Sequence, residues 1–128
     1  MTISLSNTTS LELRVSDELC LKTLSPDTVS STYVAWLNDT EIVQFTEQRF
    51  QSHSIDEVRE FVAVKLASEM DAFFGIFFED RHVGNVKLGP INWRYLTGEV
   101  SFLIGDKSCW GKGVATAAVS AVSDFAFA

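Results

Sequence analysis

Histidine, cysteine and proline are scarce here, each occurring twice in 128 residues. Cys20 and Cys109 have no metal-ligand spacing between them or with other residues. That speaks against a thiolate metal site, and two thiols make no disulfide framework. Cys20 alternates with apolar residues in "ELCLKTL" and belongs to a core, whereas Cys109, beside glycines, reads as a loop thiol. His53 precedes a helix start and His82 follows a turn; both are isolated, which assigns neither a catalytic role. Positive charge is short as well. The chain has 10 Lys and Arg against 17 Asp and Glu, a net charge of −7. Nucleic acids and anionic membranes are held by clustered cations, so neither is an expected partner. No apolar run approaches the roughly 18 residues of a membrane span, and no secretory pattern opens the chain. The expectation is a cytoplasmic protein with reduced thiols and no metal.

The sequence is 46% hydrophobic and 12% aromatic, which suits a packed globule. No repeat, low-complexity block or linker divides it, so residues 1–128 read as one domain, with 1–10 a loose polar arm. "LELRV" and "ELCLKTL" are strand-like around a Ser-Asp pair, as in a hairpin. "SPDTVSSTYVAWLND" reads as one helix capped by Ser25, with Pro26 in its first turn and Val29, Tyr33, Trp36 and Leu37 on its apolar stripe. "SIDEVREFVAVKLASEM" carries a capping box, Ser54 and Glu57, and a buried face of Ile55, Val58, Phe61, Val62, Leu66 and Met70. Two strands, "AFFGIFFE" and "HVGNVKLGPIN", join at Glu79-Asp80-Arg81, and "TGEVSFLIG" is a third. A last helix starts near Val114 and faces inward with Val114, Ala117, Ala118, Ala121, Val122 and Phe125. Short connections imply antiparallel pairing. The fold class is α/β (α+β), a mixed, mostly antiparallel sheet flanked by helices.

Gly111 and Gly113 stand between a strand and a helix in "CWGKGVATAAVSAV". Glycine permits unusual backbone angles and a close approach to the main chain. The first N–H groups of the following helix lack intrahelical partners, and the helix dipole places about half a positive charge there. A phosphate or diphosphate suits that position, with Lys112 as a counter-charge. The third glycine of a dinucleotide fingerprint and the G-K-S/T ending of a Walker loop are absent.

"GEVSFLIGDKSCWGKGVATAAVSAVSDFAF" resembles the acetyl-CoA-binding motif of the GNAT superfamily of N-acetyltransferases, Arg/Gln-x-x-Gly-x-Gly/Ala. Gly111 and Gly113 match its glycines, while Ser108 stands at the Arg/Gln position. Trp110, Lys112, Ala115 and Thr116 look like the branch acting on ribosomal-protein N-termini, and "YVAWLNDTEIVQFTEQRF" resembles that branch and its amino-sugar relatives. The similarity runs from about Leu11 to Phe127. It implies a further strand, helix and hairpin after Phe127, so the sequence reads as a truncated acyl-CoA N-acyltransferase-like fold. In relatives, the missing part often supplies the tyrosine that protonates the leaving thiolate.

The resemblance implies an acetyl-CoA-dependent N-acetyltransferase acting on a primary amine of a small molecule or peptide N-terminus. The alternative is a degenerate domain that binds CoA or a protein partner without catalysis. Gly111, Lys112, Gly113, Val114 and Ala115 are expected at the diphosphate, and the backbone of Phe102, Leu103 and Ile104 along the pantetheine arm. Glu99 is the expected base, since an ammonium must lose its proton before it can attack. Glu47 and Arg49 are the expected acceptor contacts. The strand 99–105 would be left with an uncovered edge, on which a homodimer is expected.

Overall fold

A computed structural model describes residues 11–43, 53–68, 71–92, 94 and 97–127. Five strands form one sheet in sequence order: β1 (Glu12–Arg14), β2 (Leu19–Thr23), β3 (Ala72–Phe78), β4 (Arg81–Asn92) and β5 (Thr97–Ile104). Every described pairing is antiparallel. Helices α1 (Ser31–Asn38), α2 (Thr40–Val43) and α3 (Ile55–Ala67) separate β2 from β3, and α4 (Val114–Phe127) follows β5.

The sheet has two covered faces because side chains alternate along each strand. On one face, Leu19, Leu21, Phe74, Ile76, Val86 and Leu88 meet Val114, Ala118 and Val122 of α4. On the other, Leu24, Val29, Tyr33 and Trp36 pack with Val58 and Val62 of α3. Cys109 is buried in the α4-side core, so it is a packing residue rather than the expected loop thiol.

The helix expected from Ser25 is broken in two. Residues Pro26–Thr28 form a single 3₁₀ turn, in which the Thr28 hydroxyl donates to the Ser25 carbonyl at 2.7 Å. Ser30 then caps α1, its hydroxyl accepting from the Tyr33 N–H at 3.1 Å. A second serine in the run offered a second cap, and β-branched Val29 stays extended between the two turns. On α3 Ser54 caps as expected, its hydroxyl accepting from the Glu57 N–H at 3.2 Å, but the Glu57 carboxylate accepts from that same hydroxyl at 3.1 Å rather than from the Ser54 N–H, so only half of the capping box forms. The expected burial of Ile55 and Phe61 does not hold; they are 36% and 42% exposed, while Val58 and Val62 carry the packing. Met70 lies outside the described residues.

β3 and β4 meet at a two-residue turn, with Glu79 and Asp80 both at positive φ (51° and 63°). Such a turn matches the twist of the strands it joins. Just beyond it the register shifts: Phe77 pairs with His82 and Ile76 with Gly84, so Val83 is the extra residue of a β-bulge. Two glycines allow close packing beside it. A Cβ on Gly84 would collide with the Leu103 carbonyl at 2.3 Å, and one on Gly105 with the Trp36 ring at 1.9 Å.

Candidate active site

The bulge decides which side chains meet on the α1/α3 face. Strict alternation would set His82 and Asn85 on opposite faces. The extra residue places them on the same one, where His82 Nε2 lies 2.7 Å from Asn85 Oδ1. The His82 ring stacks on Phe77 at 5.1 Å and meets Tyr33 and Trp36 edge-on at 5.7 and 5.0 Å. Burial lowers the pKa of His82 below the ordinary imidazole value, against the opposing pull of its bonds to Asn85 and Gly84. With Oδ1 bound to a neutral ring, Asn85 has its amide N–H groups left to offer. Burial likewise pushes the Tyr33 phenol well above its usual range, so it stays protonated.

Asn85 and Tyr33 line a cleft of about 450 Å³ between this face of the sheet and helices α1 and α3. Phe73 and Phe61 form an apolar wall, edge to face at 5.8 Å. Lys87 and Ser101, directly paired across β4 and β5, and Leu103 line the cleft from the sheet side. His53 and Glu57 border it at the start of α3. Asn38 holds His53 by both main-chain groups, at 2.8 and 2.9 Å, yet the buried ring Nε2 has no hydrogen-bond partner. Sequence reading passed over His53, Asn85 and Lys87. The regular alternation of "NVKL" was the available signal for Asn85 and Lys87 sharing a face.

β5 is an edge strand among the described residues. The Ile104 carbonyl accepts from Trp110 Nε1 at 2.9 Å, and the next N–H, of Gly105, donates across to Val83. Main-chain groups therefore alternate along β5: those of Phe102 point to the open edge, whereas those of Leu103 join the ladder with β4. The Phe102 side chain is 52% exposed. Ile104 packs against the α4-side core and Leu103 against the α1/α3 side. By the same alternation Glu99 shares the cleft face with Ser101 and Leu103; it is exposed.

After β5 the chain makes a 3₁₀ turn, Lys107–Cys109. Asp106 caps it by accepting from the Ser108 N–H and hydroxyl at 2.9 and 2.6 Å, and it pairs with Arg81 at 2.8 Å. The Ser108 and Arg81 contacts hold the Asp106 carboxyl below its ordinary pKa. Lys107 reaches Asp39 at 3.1 Å and Glu41 at 3.3 Å, tying the loop to α2. Gly111 and Gly113 follow at φ +80° and +76°, and nothing lies within 4 Å of where a Cβ would sit on either. Open space above left-handed glycines at the mouth of a helix leaves room for an anionic group against the main chain. Lys112 is exposed beside them. Val114 is buried by its side chain, so only its main chain faces the loop. Glu47 and Arg49 lie outside the described residues. Among the described residues no group of His, Cys, Asp and Glu could hold a metal, and no helix is long and apolar enough to cross a membrane.

The sheet, the glycine turn and the flanking helices define an acyltransferase-type α/β domain. The chain belongs to the acetyltransferase (GNAT) domain family, whose model matches residues 18–128. Solved structures share the fold. The acetyltransferase from Salmonella typhimurium that modifies the N-terminal serine of a 50S ribosomal protein is 18% identical with a TM-score of 0.74, over 88% of this chain and 65% of that one. Spermidine N-acetyltransferase from Vibrio cholerae, solved with CoA and spermine, is 22% identical with a TM-score of 0.73, over 88% and 65%. A microcin self-immunity acetyltransferase, solved with acetyl-CoA and AMP, is 18% identical with a TM-score of 0.75, over 93% and 66%. The chain thus spans about two thirds of the length of these structures. No curated protein matches it by sequence.

Proposed function

We propose that the chain is an acetyl-CoA-dependent N-acetyltransferase of the cytoplasm that acetylates a primary amine of a small molecule or a peptide N-terminus. The observation that carries this reading is the pair of left-handed glycines opening into free space directly before α4. Family neighbours solved with acetyl-CoA or CoA support it. Acetyl-CoA supplies the activated acyl group. The chain's part is to hold it, orient the amine and take a proton.

Gly111, Lys112, Gly113, Val114 and Ala115 hold the diphosphate, through N–H groups that α4 leaves unpaired and through the Lys112 charge. The pantetheine arm runs beside the open edge of β5, with Phe102 giving main-chain bonds and Leu103 and Ile104 fixing the strand from its two faces. Holding the donor still converts an encounter into an oriented step. Glu99 accepts the ammonium proton, directly or through water, a role worth about 10²–10⁴-fold in rate. Glu47 and Arg49 contact the acceptor. A homodimer on the β5 edge draws on the same N–H and C=O groups as the arm, so coenzyme A competes with the second copy there. Light scattering then finds a dimer that CoA shifts towards monomer.

One observation favours the second reading, binding without turnover: among the described residues no hydrogen bond or ion pair orients exposed Glu99. Calorimetry with acetyl-CoA and thiol release over an amine panel separate the two. Binding with release supports the transferase, binding without release the second reading, and no binding removes both.

A further inference from the structure

Among the described residues the lysine of the cleft, Lys87, has no carboxylate within 4.0 Å. Arg14, Lys65, Arg81 and Lys107 each sit within 4.0 Å of a carboxylate. Lys22, Arg59, Lys87 and Lys112 do not; Arg59 and Lys112 are exposed and Lys22 lies over the Phe77 ring, which leaves Lys87 as the partly buried described cation with neither a carboxylate nor a ring beside it. It is partly buried on β4 and lines the cleft beside Ser101. Two carboxylates stand near it: Glu99, two residues along β5 from Ser101, which lies beyond 4.0 Å, and Glu57, which is turned to its own helix, accepting from the Ser54 hydroxyl at 3.1 Å. Two neighbours carry spare polar capacity. Asn85 is buried with its amide N–H groups unspent, and His53 Nε2 is buried without a partner. A lysine whose stem is packed against the sheet while its ammonium faces an open cleft is placed to meet an anionic group that enters there.

We propose that the cleft takes an acceptor bearing an anionic group as well as its amine, and that Lys87, with Ser101 and Asn85, binds that group. This rests on the transferase reading for the amine but not for the anion site. A carboxylate and a phosphate ester both fit the donors, whereas a polyamine meets an unmasked like charge. Lys87 is therefore a specificity residue. It holds the end of the acceptor that does not react, and binding there orients the amine.

The test titrates the chain, without acetyl-CoA, with glutamate and its dimethyl ester, glucosamine 6-phosphate and glucosamine, and spermidine. At least one anionic amine binds at least tenfold more tightly than its neutral partner, and spermidine binds no better than the neutral amines. The carboxylate and phosphate arms identify the anion. Lys87→Met weakens the anionic ligand about 10- to 100-fold, the worth of one charge-assisted hydrogen bond. Lys87→Arg restores part of the loss, and acetyl-CoA affinity is unchanged in both. Equal binding of charged and neutral amines, or a Lys87→Met loss that is the same for both, overturns the proposal. Anion binding in a chain that ignores acetyl-CoA keeps the anion site and removes the transferase. Acetyl-CoA binding without anion preference does the reverse.

Discussion

The two faces of one sheet do different work. Along β4, Val86 and Leu88 face α4 and are buried with Phe74 and Ile76 among apolar neighbours. Asn85 and Lys87 alternate with them and face the cleft. The α4 face is closed, with Phe74 and Phe125 edge to face at 6.0 Å and Ala118 and Val122 fully buried. The α1/α3 face is closed only at one end, where Trp36 lies against Gly105, and opens into the cleft at the other. A period of two lets a single strand serve stability on one side and chemistry on the other without compromise at any residue.

Substitutions on either side of the sheet separate the two faces. Ile76→Ala, on the α4 face, loses about 2–5 kcal/mol in urea unfolding, because a fully buried side chain leaves a cavity behind. Gly105→Ala, on the other face, costs about 1–3 kcal/mol by overpacking against Trp36. Its signature is a loss of tryptophan order in near-UV circular dichroism. A Lys87→Met variant as unstable as Ile76→Ala would erase the distinction between the faces.

Gly111→Ala and Gly113→Ala each cost about 1–2 kcal/mol of stability, the strain of a left-handed non-glycine residue, although both have free space. Their loss of acetyl-CoA affinity, read by calorimetry, exceeds what that destabilisation explains. His82 gives a pH dependence confined to the cleft side. Its folded pKa lies below the unfolded value of 6.5, so the unfolded chain takes up the proton first. The stability it contributes is whole above about pH 6.5 and is lost as pH falls towards the folded pKa, by at most about 1.4 kcal/mol per pH unit. Unfolding midpoints at pH 7.5 and 5.5 read this, and His82→Phe flattens the difference. Lys107→Ala has the least effect. Its pairs with Asp39 and Glu41 are solvent-screened, so the unfolding midpoint moves within error and the small change vanishes in high salt.

Much of this was legible in order along the chain. The Ser54 cap of α3, the Glu79-Asp80 turn, the β5 strand and the inward stripe of α4 follow from local chemistry, and each formed where its residues indicated. The break at Val29 was hidden because Ser25 and Ser30 are both competent caps and both are used, Ser25 at the short 3₁₀ turn and Ser30 at α1. Phe61 was assigned to the core by its spacing, yet it forms a cleft wall because α3 covers only part of the sheet. The glycine turn was readable. The polar lining of the cleft was not, since His53 and Glu57 at the start of α3, Asn85 and Lys87 on β4 and Ser101 on β5 meet only through packing.

By itself the sequence determined most of the elements, though not the break between Pro26–Thr28 and α1, together with the single-residue alternation that sorts β4 and β5 into two faces and the left-handed turn before α4. Those depend on backbone sterics and on contacts a few residues apart. Tertiary structure alone decided that His82 and Asn85 meet, that Cys109 is core, and that Lys87 lies in the cleft with no counter-ion among the described residues. A one-residue bulge and the limited reach of α3 set these outcomes, and both follow from how distant segments pack rather than from any local preference.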